Sequence, residues 1–96
     1  MRALALIALL FAASAHAQPR TIPGDATRAR LTLVQERIEL DGKRATLAPG
    51  VQIRDLSNRI IPPDALPAES LVKYRRDASG AVRQVWILTP EEAAQR

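Results

Sequence analysis

The sequence predicts an all-β domain, a small partly open barrel or sandwich of about five short antiparallel strands, followed by a short C-terminal helical tail. Three observations carry that expectation. Short stretches of alternating polarity recur roughly every ten residues, which is the spacing of small β domains. Turn-forming sequences separate them: Asp41-Gly42, Pro49-Gly50 and Asp77-Ala78-Ser79-Gly80. Finally, Val85, Trp86, Ile87 and Leu88 are apolar on both faces, as in a strand covered on both sides.

The chain opens on a segment that does not belong to that domain. Met1 and Arg2 form a short basic start, residues 3–13 are an unbroken apolar run, and Ala15-His16-Ala17 supplies a small-x-small site. This pattern predicts a secretory signal peptide over residues 1–17, cleaved between Ala17 and Gln18. The run falls well short of the ~20 residues that cross a bilayer as a helix, so no stable membrane insertion is expected after cleavage. The expected localisation is periplasmic or secreted.

Residues 18–29, with Pro19, Pro23 and Gly24, read as a flexible leader. The small β domain is expected over residues 30–90. At its start two readings compete. Leu31, Val34 and Ile38 fit a helical face, whereas Ile38 and Leu40 around Glu39 fit a strand. Asp41-Gly42 favours strands, because both residues of a two-residue hairpin turn need positive φ; a helix over residues 27–38 is the alternative. Ala48-Pro49-Gly50 predicts a type II turn launching a strand over residues 51–55. Ser57-Asn58 turns the chain again. Ile60-Ile61 is a brief extended stretch stopped by Pro62 and Pro63, which lack amide donors. Residues 63–67 suit a single helical or 3₁₀ turn pinned by Leu66.

Residues 71–76 and 81–88 then form the clearest hairpin. Asp77 opens a type I turn and Gly80 takes the left-handed position, a three-residue loop with a G1 bulge. That register sets Asp77 opposite Ala81, Tyr74 opposite Gln84 and Val72 opposite Trp86. Thr89-Pro90-Glu91-Glu92 is a helix start, with residues 91–96 left as a tail. Taken together, ELDGKRATLAPGVQIRD, NRIIPP and LVKYRRDASGAVRQVWIL resemble the pattern of small exported bacterial proteins of unknown function, in which a signal peptide precedes one compact β-barrel-like domain. The resemblance implies a fold and export, and it brings no catalytic residue.

Composition narrows the chemistry. The chain has 14 Lys plus Arg against 10 Asp plus Glu, one His and no Cys. The one His, His16, leaves with the signal peptide. The mature chain then lacks the residues of Ser-His-Asp triads, Cys nucleophiles, the usual zinc sites and His-ligated haem. Paired carboxylates are the remaining catalytic route, with Glu36, Glu39, Asp55, Asp64 and Glu69 as nominal candidates. They are scattered among arginines where solvated faces and turns are expected, so no enzymatic activity, metal or cofactor is expected. No Gly-rich phosphate loop and no basic amphipathic helix is present, and no nucleic-acid partner is expected.

The candidate binding face is Tyr74, Arg75 and Arg76 on one strand, facing Arg83 and Trp86 on the next. Aromatic rings beside guanidinium groups can stack on bases or grip a phosphate or carboxylate. The competing reading packs Tyr74 and Trp86 into the core and leaves the arginines to solvate the outer face. The expected function is a non-enzymatic accessory module contacting a protein of the cell envelope. The alternative is a small barrel binding an anionic ligand, such as a nucleotide, lipid headgroup or acidic polysaccharide. Self-association is the third reading.

Overall fold

Asp41 and Gly42 have φ of 52° and 82°. A two-residue type I′ turn requires this pair of left-handed residues, and its twist matches that of the strands it joins. Those strands are β2 (Arg37–Leu40) and β3 (Lys43–Ala45), with Leu40 opposite Lys43. A second tight turn, with Gln35 at φ 59°, connects β2 to β1 (Thr27–Val34). Strands therefore replace the alternative helix over residues 27–38. β1 also begins inside the expected leader. The computed structural model describes residues 20–35 and 37–95. The expected signal peptide, with Ala15, Ala17 and Gln18 of its cleavage site, and Glu36 lie outside the described residues.

β4 (Leu47–Arg54) runs straight through the expected turn at Pro49-Gly50. Gly50 is left-handed, at φ 76°, and Pro49 has no amide to donate. The ladder breaks there without the chain reversing: Leu47 aligns with Val82 but Gln52 already aligns with Gln84, so the intervening residues bulge out. β5 is the brief Ile60–Ile61, and Pro63–Ala65 wind the expected 3₁₀ turn, with Leu66 buried behind them.

The last hairpin joins β6 (Glu69–Arg76) to β7 (Val82–Ile87). One oxygen of Asp77 accepts hydrogen bonds from the amides of Ser79 and Ala81 and from the Ser79 hydroxyl, and Gly80 has φ 91°. Asp77 lies opposite Ala81 as expected, its amide donating to the Ala81 carbonyl at 2.8 Å. Beyond that point the register departs from expectation by one residue. Arg76 aligns with Val82 and Arg75 with Gln84, so Arg83 is bulged out of the ladder. Tyr74 then lies opposite Val85 rather than Gln84, and Val72 opposite Ile87 rather than Trp86. Because side chains alternate along a strand, this single residue carries Trp86 to the face opposite Val72 and Val85.

The strands form one sheet in the order β3-β2-β1-β6-β7-β4-β5. The all-β class and the short C-terminal helix agree with the sequence. The strands number seven rather than five, and β4 pairs with β7 in parallel. β3 and β4 stand five places apart in that order, about 24 Å in a flat sheet, yet Thr46 alone joins them. The sheet must therefore curl around its core, and it does so without closing into a barrel. Leu31, Ile53, Val72, Val82 and Val85, at 0% exposure, line the inner face, with Ile38, Leu40, Leu66 and Ile87 around them. Trp86, Leu88 and Ala48 are buried outside that cluster.

α1 (Pro90–Ala94) follows a complete capping box. The Thr89 hydroxyl accepts from the Glu92 amide at 3.1 Å while the Glu92 carboxylate accepts from the Thr89 amide at 3.0 Å. No helix among the described residues is long and apolar enough to cross a membrane.

Candidate interaction surface

The hairpin brings three of the five residues of the candidate face together. Tyr74, Arg75 and Arg76 line an open cleft of about 250 Å³ with Asp25 and Thr27. Arg75 donates to the Gln84 side-chain oxygen at 3.2 Å and pairs with Asp25 at 3.3 Å. Arg76 donates to the Gly80 carbonyl at 2.7 Å and lies over the Tyr74 ring, 5.3 Å from its centroid. Tyr74 packs against the core. The remaining two residues stand apart from the cleft. Arg83 is exposed on its bulge, and Trp86 is 6% exposed across from Lys73, on the face that Arg75 shares and that Tyr74 does not. Trp86 is thus buried apart from the inner-face cluster, and Tyr74 is half-buried against that cluster. A second shallow cleft, about 230 Å³, includes Arg37 and Arg44 where the chain crosses from β3 to β4. Both clefts are smaller than the ~300 Å³ at which small-ligand pockets begin.

The nominal carboxylates are dispersed. Asp55 is occupied within its own loop, Glu69 pairs with Arg30 at 3.5 Å, Glu39 lies on β2 and Asp64 in the 3₁₀ turn. No group of three or more His, Cys, Asp or Glu placed to hold a metal occurs among the described residues.

The most heavily bonded side chain is one that no local pattern singles out. Arg20, whose side chain is 7% exposed, reaches across to three parts of the fold. Its Nε and Nη2 take the two oxygens of Glu92 at 3.0 and 2.8 Å. Nη2 also donates to the Ile87 carbonyl at 2.6 Å, and Nη1 to the Asp55 carbonyl at 2.8 Å and the Asn58 side-chain oxygen at 3.4 Å. The bidentate fork is the geometry in which Arg holds a carboxylate best. It holds the Glu92 carboxyl below its ordinary range, aided by the Thr89 amide, and this outweighs the opposing effect of burial. Arg28 adds two bonds from β1 to the carbonyls of Ala93 and Gln95. Among the described residues, Arg20 and Arg28 of the expected leader are thus fastened to Glu92, Ala93 and Gln95 of the helical tail.

Arg20 thereby braces the loop between β4 and β5. Inside that loop Asp55 Oδ1 accepts from the amides of Ser57 and Arg59, both at 2.9 Å. The Asn58 amide donates to the Asp55 carbonyl, and Arg54 donates to the Asn58 carbonyl at 3.0 Å. This ordered turn carries Leu56 at 54% exposure and leads through exposed Arg59 to Ile60 at 55%. These two are the most exposed large apolar side chains among the described residues.

The terminal strands offer little main chain to a partner. The Asp55 amide bonds the Arg59 carbonyl, so in an antiparallel ladder the pair Ile53–Ile61 is the next bonded one and Ile60 turns its amide and carbonyl outward. The following outward position is Pro62, which has no amide. On β3 the bonded pairs are Leu40–Lys43 and Ile38–Ala45, leaving Arg44 outward, and the Thr46 carbonyl beyond it already accepts from the Val82 amide. Each terminal strand thus exposes the full main-chain pair of a single residue, a blunting that opposes strand addition.

Comparison of the chain with protein-family models, with curated proteins and with solved structures returned no match.

Proposed function

We propose that this is an exported, non-catalytic β domain that works by contact with a protein of the cell envelope, through the side chains at the β4–β5 end of the sheet. The observation that carries the reading is the exposure of Leu56, on an ordered turn, and of Ile60, at the start of the strand that the turn leads into, with Arg59 between them in sequence. Burying an apolar side chain of this size is worth ~1.5–3 kcal/mol, and a turn already held by hydrogen bonds loses little freedom when it docks. The fitting partner is a protein surface with an apolar socket and a carboxylate at its rim for Arg59; the full chain's net charge of +4 falls to +3 once Arg2 leaves with the signal peptide, and this positive balance favours approach to such a surface. Blunted terminal strands argue for side-chain docking in place of an added strand.

The anionic-ligand reading has less support. Arg75 and Arg76 already hold Asp25, Gln84 and Gly80, and a ligand would have to displace those partners.

The test is in-cell photo-crosslinking from position 60 of the tagged full-length chain, followed by mass spectrometry of the adducts and of the mature N-terminus. The expected result is a start at Gln18 and one dominant protein adduct that is lost in Leu56→Asp. An adduct of twice the chain mass replaces the envelope partner with a second copy. No adduct, in a folded and exported chain, overturns the docking reading.

A further inference from the structure

The docking turn is braced from outside by a residue close to the expected mature N-terminus. Cleavage after Ala17 makes Arg20 the third residue of the mature chain. From there its guanidinium ties the Asp55 carbonyl and the Asn58 side chain, both in the turn, to the last carbonyl of β7 and to Glu92 of α1. The side chain is 7% exposed, and its partner Glu92 is 19% exposed. Removing the guanidinium leaves a partly buried carboxylate and the Ile87 carbonyl without that donor, and frees the turn at Asp55 and Asn58 together. The inner face of the sheet, built from Leu31, Ile53, Val72, Val82 and Val85, makes no use of Arg20.

We propose that Arg20 is the positioning residue of the docking turn, and that loss of its guanidinium switches the contact off while the sheet stays folded. The switching half rests on the docking reading above; the bracing half stands on the hydrogen bonds alone. The Arg20 side chain is thus a strut. It acts on Leu56 and Ile60 without touching the partner, because it fixes the main chain from which Leu56 projects.

Arg20→Met, Arg20→Lys and a deletion of residues 18–20, each in the tagged full-length chain, test both halves. A lysine keeps the charge but cannot span Glu92, Ile87 and Asp55 at once. Amide hydrogen exchange of the purified proteins is read at Asn58 and Arg59 in the turn, and at Val82 and Leu33, whose amides bond the carbonyls of Thr46 and Ala68. The crosslink from position 60 is read in cells. The expected result is about tenfold faster exchange in the turn, unchanged protection at Val82 and Leu33, and at least a tenfold loss of adduct in all three. Unchanged turn exchange overturns the bracing, whatever the crosslink shows. Faster turn exchange with full adduct yield overturns the switching. If the unaltered chain gives no adduct, the docking reading and the switch fall together, while exchange still decides the bracing. Loss of protection at Val82 and Leu33 in both substitutions also overturns the proposal, since Arg20 would then hold the whole fold and not the turn.

Discussion

Trp86→Ala separates packing from ligand binding more sharply than any other substitution. Trp86 is 6% exposed on β7, which lies between β6 and β4, and it is aligned with Lys73 on one neighbour and Arg54 on the other. A buried tryptophan removes ~200 Å² from water, which at ~25 cal/mol per Å² is about 5 kcal/mol as an upper bound. Truncation of such residues costs about 3–5 kcal/mol in practice. A domain of this size has only ~5 kcal/mol of total stability. The alanine variant is therefore expected to be largely unfolded at 25 °C, and Trp86→Phe to remain folded with a loss of about 1–2 kcal/mol. Urea titration followed by far-UV circular dichroism measures both, since the substitution removes the single Trp of the chain as a fluorescent probe. A folded alanine variant destabilised by less than ~1 kcal/mol would refute the packing assignment and return Trp86 to the candidate binding face.

Replacing Arg75, Arg76 and Arg83 together with Ala is expected to leave the position-60 crosslink intact, because these side chains belong to the other hairpin; loss of the adduct in a folded triple variant refutes this. Glu92 has its folded pKa depressed below the ordinary 4.5, chiefly by the hydrogen bonds from Arg20. Its contribution to stability is thus complete above about pH 4.5 and is lost as pH falls through the lowered folded value. Thermal melts from pH 7 to pH 2.5 should show Glu92→Gln less stable than the parent at neutral pH and closing on it in acid; a constant gap would sink the assignment. Gly42, at φ 82°, has open space where a side chain would go, so Gly42→Ala should cost about 1–2 kcal/mol of backbone strain alone in a urea titration, and no loss would contradict the left-handed turn.

The parts of the fold that the sequence announces are those whose chemistry is local. Asp41-Gly42, the Asp77 turn and the Thr89 capping box each contain their own donors and acceptors within a few residues, so the pattern and the structure coincide. The parts that stayed hidden depend on distant partners. The bulge at Arg83 is one extra residue, invisible in an alternating pattern, yet it carries Trp86 to the opposite face and divides the expected binding face. Pro49-Gly50 reads as a turn because nothing nearby says that β7 will hold the chain on both sides of it. Arg20 sits in a Pro- and Gly-containing stretch that looks like linker, and its carbonyl partners lie 35 and 67 residues away. Of the candidate face, the grouping of Tyr74, Arg75 and Arg76 follows from adjacency alone, whereas Arg83 and Trp86 depended on a register that sequence could not settle. The exposure of Ile60 was equally hidden, since a β-branched pair beside prolines looks like any short core strand.

The pairing order also dictates when the chain can fold. β1, β2 and β3 can pair as soon as they leave the ribosome, but the other flank of β1 waits for β6, which meets it from Thr27–Tyr74 to Thr32–Glu69. β4 has only the two residues of β5 until β7 arrives. Joining the two flanks of the sheet thus depends on the pairing of the last hairpin with β1 on one side and β4 on the other, the kind of non-local topology that folds late. A chain ending at Pro67 lacks both strands that unite the halves and is expected to be cut rapidly by protease at every length up to that point. Until the final hairpin emerges, the β1–β3 flank and the β4–β5 flank therefore remain unjoined, and the inner face that they share has no complete sheet to cover it.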